Sequence, residues 1–360
     1  MTPFDPDLPL ERARTIPSIW YTSTDVYARE RECVFAGSWQ VVGRTEQVQQ
    51  PGSYLTANIS GEPILVVRGG DGVLRAFFNV CRHRAAPIVN DECGTATKLR
   101  CRYHGWTYDL AGNLRGTPEF EGVQDFRKEE MGLPPVAVAE WGPFVFVNLG
   151  STGQETCATL PNYLKPLADW VESRDAFAKL KWHARKSYDL SCNWKVYVDN
   201  YLDGGYHVNT VHPGLAGVLD YREYRTICDG NTVLQSSPMK AADGAAGRTR
   251  TGDLAAYWWL WPNFMLNFYS GVMDTNLVLP LGVDRCRVVF DFYFAEGTDA
   301  RFVADSVAVA DQVQAEDMGI CEDVQRGLNS RSYTTGRFSV KRENGGYHFH
   351  QMLGRALPNG

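Results

Sequence analysis

Between Trp39 and Asn148 the apolar residues come in short runs of β type, WQVVGR, PILVVRG, LRAFFNV and PFVFVNL, separated by Gly, Pro and Asp turns such as GGDG and LAGN. This alternation predicts a small antiparallel β domain. Residues 1–37 read differently: Pro-rich at first, then a charged helical stretch around Ser23 to Phe35 that carries Val26, Tyr27, Val34 and Phe35 among acids and bases. The stretch GSTGQETCATLPNY reads as a linker or exposed loop, and beyond it helix and strand patterns mix. A helical pattern covers Leu164 to Arg174, strand-like runs stand at LKWHARKSYDL, YWWLWPNFMLNFYS, TNLVLPL and RCRVVFDFYFA, and a long helix is expected from Asp299 to Leu328. There is no internal repeat and no low-complexity tract. The expected division is an N-terminal helical segment over 1–37, a β domain over 38–155 and a mixed domain over 156–360.

With 360 residues, 44% hydrophobic and 22% charged, the chain has the make-up of an ordinary folded protein large enough for about two domains. The formal charge of −6 and the pI near 5.7 give no general basic surface for nucleic acid or anionic lipid. A cationic or neutral small substrate suits that balance better. The first twenty residues hold no apolar signal core, and no apolar run reaches the roughly 18 residues of a spanning helix, so a cytoplasmic protein without a membrane segment is expected. Nine scattered cysteines, an odd count, point to reduced thiols rather than a disulfide framework. Only Cys81 and Cys101 sit beside histidines.

Those two open the first candidate site. CRHRAAP followed by LRCRYHGWTYD gives Cys81-x-His83 and Cys101-x-x-His104, so each half offers one thiolate and one imidazole on a tight loop. Cys₂His₂ is also a common structural zinc set, but zinc fingers usually pair Cys with Cys and His with His. A [2Fe–2S] cluster with two cysteines on one iron and two histidines on the other needs the mixed halves seen here.

A second candidate site lies in VDNYLDGGYHVNTVHPG, where His207 and His212 stand five apart after Asp199, Asn200 and Asp203. Mononuclear non-haem Fe(II) takes two imidazoles and one carboxylate and keeps positions open for O₂. Such a pair can reach one metal from a helix end or an irregular turn, and His212-Pro213 marks where a helix stops. The third ligand must be a remote acid, with Glu316, Asp317, Glu322 and Asp323 of VQAEDMGICEDVQRGL as the choices. His183, His348 and His350 have no partner spacing and read as ordinary core or surface histidines.

Cys81-Arg-His83 and Cys101-Arg-Tyr-His104-Gly-Trp resemble the cluster loops of Rieske proteins of the oxygenase branch. The resemblance implies an α+β fold: an antiparallel β Rieske domain, then a catalytic domain with a central antiparallel sheet flanked by helices, of helix-grip, Bet v 1-like type. It implies a [2Fe–2S] cluster on Cys81, His83, Cys101 and His104, and mononuclear Fe(II) on His207, His212 and Asp317, with Asp323 as second choice and Glu316 and Glu322 facing solvent or pairing with bases. It further implies a homotrimer in which a carboxylate bridges the cluster of one subunit and the iron of the next. The family's position for that acid is Gly204 here, and Asp203 is the nearest replacement. Because no G-x-G-x-x-G follows a strand to open a helix, electrons are expected from a separate flavin/iron–sulfur reductase.

DNYLDGGYHV, WPNFMLNFY, MDTNLVLPLG and CEDVQRGL resemble the choline monooxygenase-type branch, which implies a quaternary ammonium substrate of choline, betaine or carnitine type. Aromatic faces are the natural partners of an N-methylated cation. From the crowded segment that starts at Tyr257 and ends at Tyr269, Trp258, Trp259, Trp261, Phe264 and Phe268 are the candidates for the substrate, two or three at the pocket and most packed between core and interface by strand alternation, with Asn209 as a hydrogen-bonding group and Asp274 as a balancing charge or a turn cap. Arg222 and Arg225 are candidates for a substrate carboxylate. An aromatic-ring hydroxylating oxygenase and a Rieske electron carrier stand as alternatives.

Overall fold

The computed structural model describes residues 4–150, 159–240 and 244–357. The chain divides into two compact units, Phe35–Leu160 and a larger one that joins Met1–Val34 to Pro161–Gly360.

In the smaller unit, strands β1 (Gln40–Arg44), β2 (Ser53–Ile59), β3 (Glu62–Arg68), β4 (Leu74–Phe78), β5 (Cys93–Thr95), β9 (Pro135–Trp141) and β10 (Phe144–Asn148) form one antiparallel sheet in the order β1-β10-β9-β4-β3-β2-β5. A second, three-stranded sheet is made by β6 (Leu99–Arg100), β7 (Thr107–Tyr108) and β8 (Leu114–Gly116). Ile64, Leu65, Val66 and Val67 are buried on both faces of β3, which is why that run is continuously apolar rather than alternating. Leu65, Val67 and Phe77 pack in one core with Cys81, Cys101, Trp106 and Tyr108, so the cysteines are anchored from below.

The larger unit starts with α1 (Ile19–Thr22) and α2 (Thr24–Glu30), the latter capped by Ser23 through the Asp25 and Val26 N–H groups. The expected helix to Phe35 becomes a π-turn from Arg31. The expected loop over 150–163 falls largely on residues outside the described set, and its end is already helical in α3 (Leu160–Leu164), followed by α4 (Leu167–Arg174).

Strands β11 (Leu180–Leu190), β12 (Arg225–Asp229), β13 (Thr232–Pro238), β14 (Leu254–Leu260), β15 (Phe264–Tyr269), β16 (Val272–Pro280) and β17 (Cys286–Ala295) build an antiparallel sheet ordered β11-β17-β16-β15-β14-β13-β12. YWWLWPNFMLNFYS is a hairpin rather than one strand. Pro262 cannot donate to a ladder, and the chain reverses there to pair Leu260 with Phe264. The remaining helices of this unit are α5 (Trp194–Tyr201), α6 (Val208–Val211), α7 (Pro213–Ala216), α8 (Gly244–Thr249), α9 (Ala300–Leu328) and α10 (Asn344–Ala356), of which α5, α9 and α10 touch the sheet at β16, β11 and β12.

Helix α9 is capped by Asp299, which accepts from the Arg301 and Phe302 N–H groups, and it buries Val303, Ser306, Ala310, Gln314, Cys321 and Leu328 at helical spacing. The Tyr197 hydroxyl of α5 donates to Gln314 at 2.7 Å, and Gln325 of α9 accepts the Asn193 N–H at 2.8 Å. These bonds fix the rotation of α9 about its axis. The α+β class with an antiparallel sheet gripping a long helix is the expected one. Among the described residues no helix is long and apolar enough to cross a membrane.

Candidate metal centres and substrate pocket

Cys81 and His83 lie on the loop after β4, and Cys101 and His104 on the loop between β6 and β7. Each loop folds back on itself: the Ala85 N–H donates to the Cys81 carbonyl at 3.0 Å, and the Gly105 N–H to the Cys101 carbonyl at 3.1 Å. Gly105 has φ +74°, the left-handed conformation that the tight turn behind His104 requires. Both thiols are buried, His83 is half-buried and His104 is exposed, and the two Nδ1 atoms face each other 3.1 Å apart. Sulfur donors inside and imidazole donors outside fit a [2Fe–2S] cluster of mixed ligation. Trp106 stacks on His83 at 4.9 Å, and the Tyr108 hydroxyl accepts the Arg82 N–H and lies 3.5 Å from Cys81 Sγ.

The second centre grows from a single turn of helix. His207 precedes α6 and His212 follows it, with the His212 N–H bonded to the Val208 carbonyl, so five positions of chain bring both rings to one side at 4.9 Å between centroids. His207 Nδ1 lies 2.5 Å from Asp203 Oδ2, and His212 Nδ1 lies 2.7 Å from Glu316 Oε2. The Nε2 atoms are thereby turned to Asp317, whose Oδ1 is 3.7 Å from His207 Nε2 and 3.1 Å from His212 Nε2. One ligand atom from each of the three residues lies within 4.8 Å of the others. Burial pulls the His212 pKa down, but the hydrogen bonds and charges of Asp317 and Glu316 outweigh it and leave it above the usual value. Two Nε2 atoms convergent on one carboxylate fit a divalent metal.

Other acids stand elsewhere. Asp323 pairs with Arg326 on the exposed side of α9, and Glu322 accepts the Ser191 N–H at 2.9 Å. Glu316 departs from its expected place at the surface, because it is half-buried behind His212. Gly204, at φ +70°, has no room for a side chain: a Cβ there would lie 2.0 Å from the Arg342 carbonyl oxygen.

Beside the triad opens a cavity that encloses about 810 Å³ of space, the open solvent at its mouth included. Tyr201, Tyr224, Tyr257, Tyr269, Arg250 and Asp274 are on its wall with His207, His212 and Asp317. Burial holds the phenols of Tyr201, Tyr224 and Tyr257 well above their usual pKa, so they act as neutral rings with hydroxyl tips.

Of the side chains expected at the substrate, Asp274 is on that wall, whereas Trp258, Trp259, Trp261, Phe264, Phe268 and Asn209 are not. Trp258 and Phe268 point to the opposite face of the sheet, where Trp170 meets them at 5.9 and 5.0 Å between centroids. Phe264 shares the Phe268 face by strand alternation and is 3% exposed. Trp259 and Trp261 pack on Phe349 of α10, and Asn209 is exposed on α6. Arg222 and Arg225 are also exposed, Arg225 pairing with Glu223 at 3.4 Å.

Two family models match the chain: the ring hydroxylating alpha subunit (catalytic domain) over residues 177–359 and the Rieske [2Fe-2S] domain over 38–127. The chain belongs to the Rieske non-haem iron oxygenases. It is similar to chloroplastic choline monooxygenase of Arabidopsis thaliana, at 39% identity over 98% of this chain and 85% of that one. It is also similar to the carnitine monooxygenase oxygenase subunit of Escherichia coli K12, at 33% over 96% and 95%. Among solved structures, the quaternary ammonium Rieske monooxygenase CntA in complex with L-carnitine matches with a TM-score of 0.85 and 30% identity, covering 99% of both chains. Naphthalene 1,2-dioxygenase from Rhodococcus shares the fold, with a TM-score of 0.78 at 18% identity.

This Rieske monooxygenase thus carries a [2Fe–2S] domain and a mononuclear iron domain. Sequence reading missed the hydroxylated wall of its pocket, although a signal was present. Tyr257, Asn267 and Asp274 form one cross-strand row, with Tyr269 on the same face of the hairpin. Polar or hydroxylated side chains recurring at alternate positions of otherwise apolar buried strands mark the face that lines a cavity.

Proposed function

We propose that this Rieske monooxygenase hydroxylates a C–H bond next to the nitrogen of a quaternary ammonium compound of choline, betaine or carnitine type, with demethylation or C–N cleavage as the outcome. The observation that carries the reading is the group of neutral tyrosine rings on the wall that also holds His207, His212 and Asp317. An N-methylated cation has no N–H to donate and is best held by such faces. The relatives that act on choline and carnitine support it.

In this reading Cys81, His83, Cys101 and His104 hold the cluster, and His207, His212 and Asp317 hold Fe(II). Bound there, the two groups supply single electrons and the activation of O₂ beside the substrate. Asp203 and Glu316 keep the proton of each imidazole on Nδ1, which leaves Nε2 free as a donor and raises its basicity. Asn200 donates to Asp317 Oδ1 at 2.7 Å and holds that carboxylate in one orientation.

Asp203 borders both the substrate cavity and a second cavity lined by Tyr21, Asp199, Glu343 and His350. That position suits the carboxylate bridge to a neighbouring subunit's cluster in a homotrimer, with electrons entering from a separate flavin/iron–sulfur reductase.

The test is EPR of the anaerobically reduced protein with nitric oxide on the mononuclear iron, adding choline, glycine betaine, carnitine and aromatic acids in turn. A signal changed by an ammonium compound supports the reading. Changes from aromatic acids alone replace it with ring hydroxylation.

A further inference from the structure

The cavity wall holds one group that the proposed reaction leaves without a task. Arg250 follows α8, and its side chain is 5% exposed. Nη1 donates to Ser306 Oγ of α9 at 2.9 Å, Nη2 stands 3.9 Å from Asp274 Oδ2, and the guanidinium carbon lies 4.7 Å from the Tyr269 ring centroid. Among the described residues Nε has no hydrogen-bond partner.

A buried guanidinium is held in place when its fork of donors is matched by acceptors, and an orphaned charged donor costs more than a neutral one. Here the Ser306 hydroxyl, the Tyr269 side chain and a carboxylate beyond hydrogen-bond distance do that work, and Nε is left over. Asp274 is itself divided, since its Oδ1 accepts from Asn267 at 2.6 Å. Burial raises the Asp274 pKa against the opposing pull of Arg250 and Asn267, so its charge is a weak match for the arginine. With Tyr269 occupied by the guanidinium, Tyr201, Tyr224 and Tyr257 remain for an ammonium head.

We propose that Arg250 receives a carboxylate of the substrate, so that the enzyme takes a zwitterionic quaternary ammonium carboxylate in preference to an ammonium alcohol. This rests on the quaternary ammonium reading above. It moves the carboxylate contact from the exposed Arg222 and Arg225 to a residue on the cavity wall itself. A planar fork meets a carboxylate with two parallel N–H bonds, which an alcohol cannot reproduce. The zwitterion also enters the cavity without adding net charge.

Four ligands separate the two ideas on the loaded wild-type enzyme: glycine betaine, choline, and their carbon isosteres 3,3-dimethylbutanoate and 3,3-dimethylbutanol. Binding is measured by calorimetry. The carboxylate member of each pair is expected to bind at least about tenfold more tightly than the alcohol. In Arg250→Lys that preference is expected to shrink to less than about threefold, through the carboxylates alone, with KM rather than kcat moving for any member that turns over. Equal binding of acid and alcohol in the wild-type protein, or an equal loss of both in Arg250→Lys, overturns the proposal. The wild-type comparison decides it even where the variant fails to fold. Carbon isosteres that bind as tightly as their ammonium counterparts overturn the quaternary ammonium reading instead, and the acid-to-alcohol contrast still reports on Arg250.

Discussion

Asp203 Oδ2 lies 2.5 Å from His207 Nδ1 and also accepts the His207 N–H at 3.0 Å, so one carboxylate holds both the ring and the backbone of the histidine it precedes by four residues. This makes Asp203 a positioning group whatever else it carries. Asp203→Asn keeps the shape, but its amide can turn an N–H toward Nδ1 and weaken the tautomer that frees Nε2. We expect affinity for the mononuclear iron to fall about 10- to 100-fold, with the cluster spectrum unchanged. Iron titration of the apoprotein checks it. Unchanged iron affinity with lost turnover would leave Asp203 the electron bridge alone.

The two centres should fail independently. His207→Ala is expected to keep the visible cluster spectrum and abolish turnover, whereas Cys81→Ala or His104→Ala should bleach the protein. Iron analysis of the intact enzyme should give about three irons per chain with acid-labile sulfide, and two per chain would leave only an electron carrier.

Restoring an acid at the family's usual position should fail. Gly204→Asp places a Cβ 2.0 Å from the Arg342 carbonyl oxygen at a φ of +70°. We expect a loss of about 3 kcal/mol or more, seen as a lower Tm, without a gain in the rate of reduction of the iron. A variant of native stability would show that the Gly204 backbone is free to rearrange.

Strand alternation separates pocket from packing at adjacent residues. Tyr257→Ala is expected to raise KM for the ammonium substrate at a smaller cost in stability than Trp258→Ala, which removes a side chain that is 2% exposed and should cost about 3–5 kcal/mol. Denaturation and steady-state kinetics on both variants test it. The reverse pattern would return the tryptophan to the substrate.

The candidate ligand pairs were legible because each pair is local, whereas Asp317 stands 105 positions from His212. Cys81 and His83, or His207 and His212, are brought together by one tight loop or one helical turn, and a handful of residues specifies such a turn by itself. The β-type runs were legible for the same reason, since alternation and turn residues act over a few positions. The hairpin at Pro262 was only half readable: proline showed a break, yet a continuous aromatic run hid that two strands meet there.

What the sequence alone determined, then, is the local pairs of candidate ligands, the family, the β-type runs and the long helix that ends at Leu328. Tertiary structure decided which side chains face one another. Glu316 reaches His212 across 104 positions of chain, and the bonds that hold α9 by Tyr197 and Asn193 turn Asp317 inward while Asp323 stays at the surface. Likewise the register of β14, β15 and β16 puts Tyr257 toward the cavity and Trp258 away from it, although both are aromatic. Composition cannot separate such neighbours, because a one-residue step along a strand reverses the face. Only the packing of distant elements fixes which face becomes the pocket.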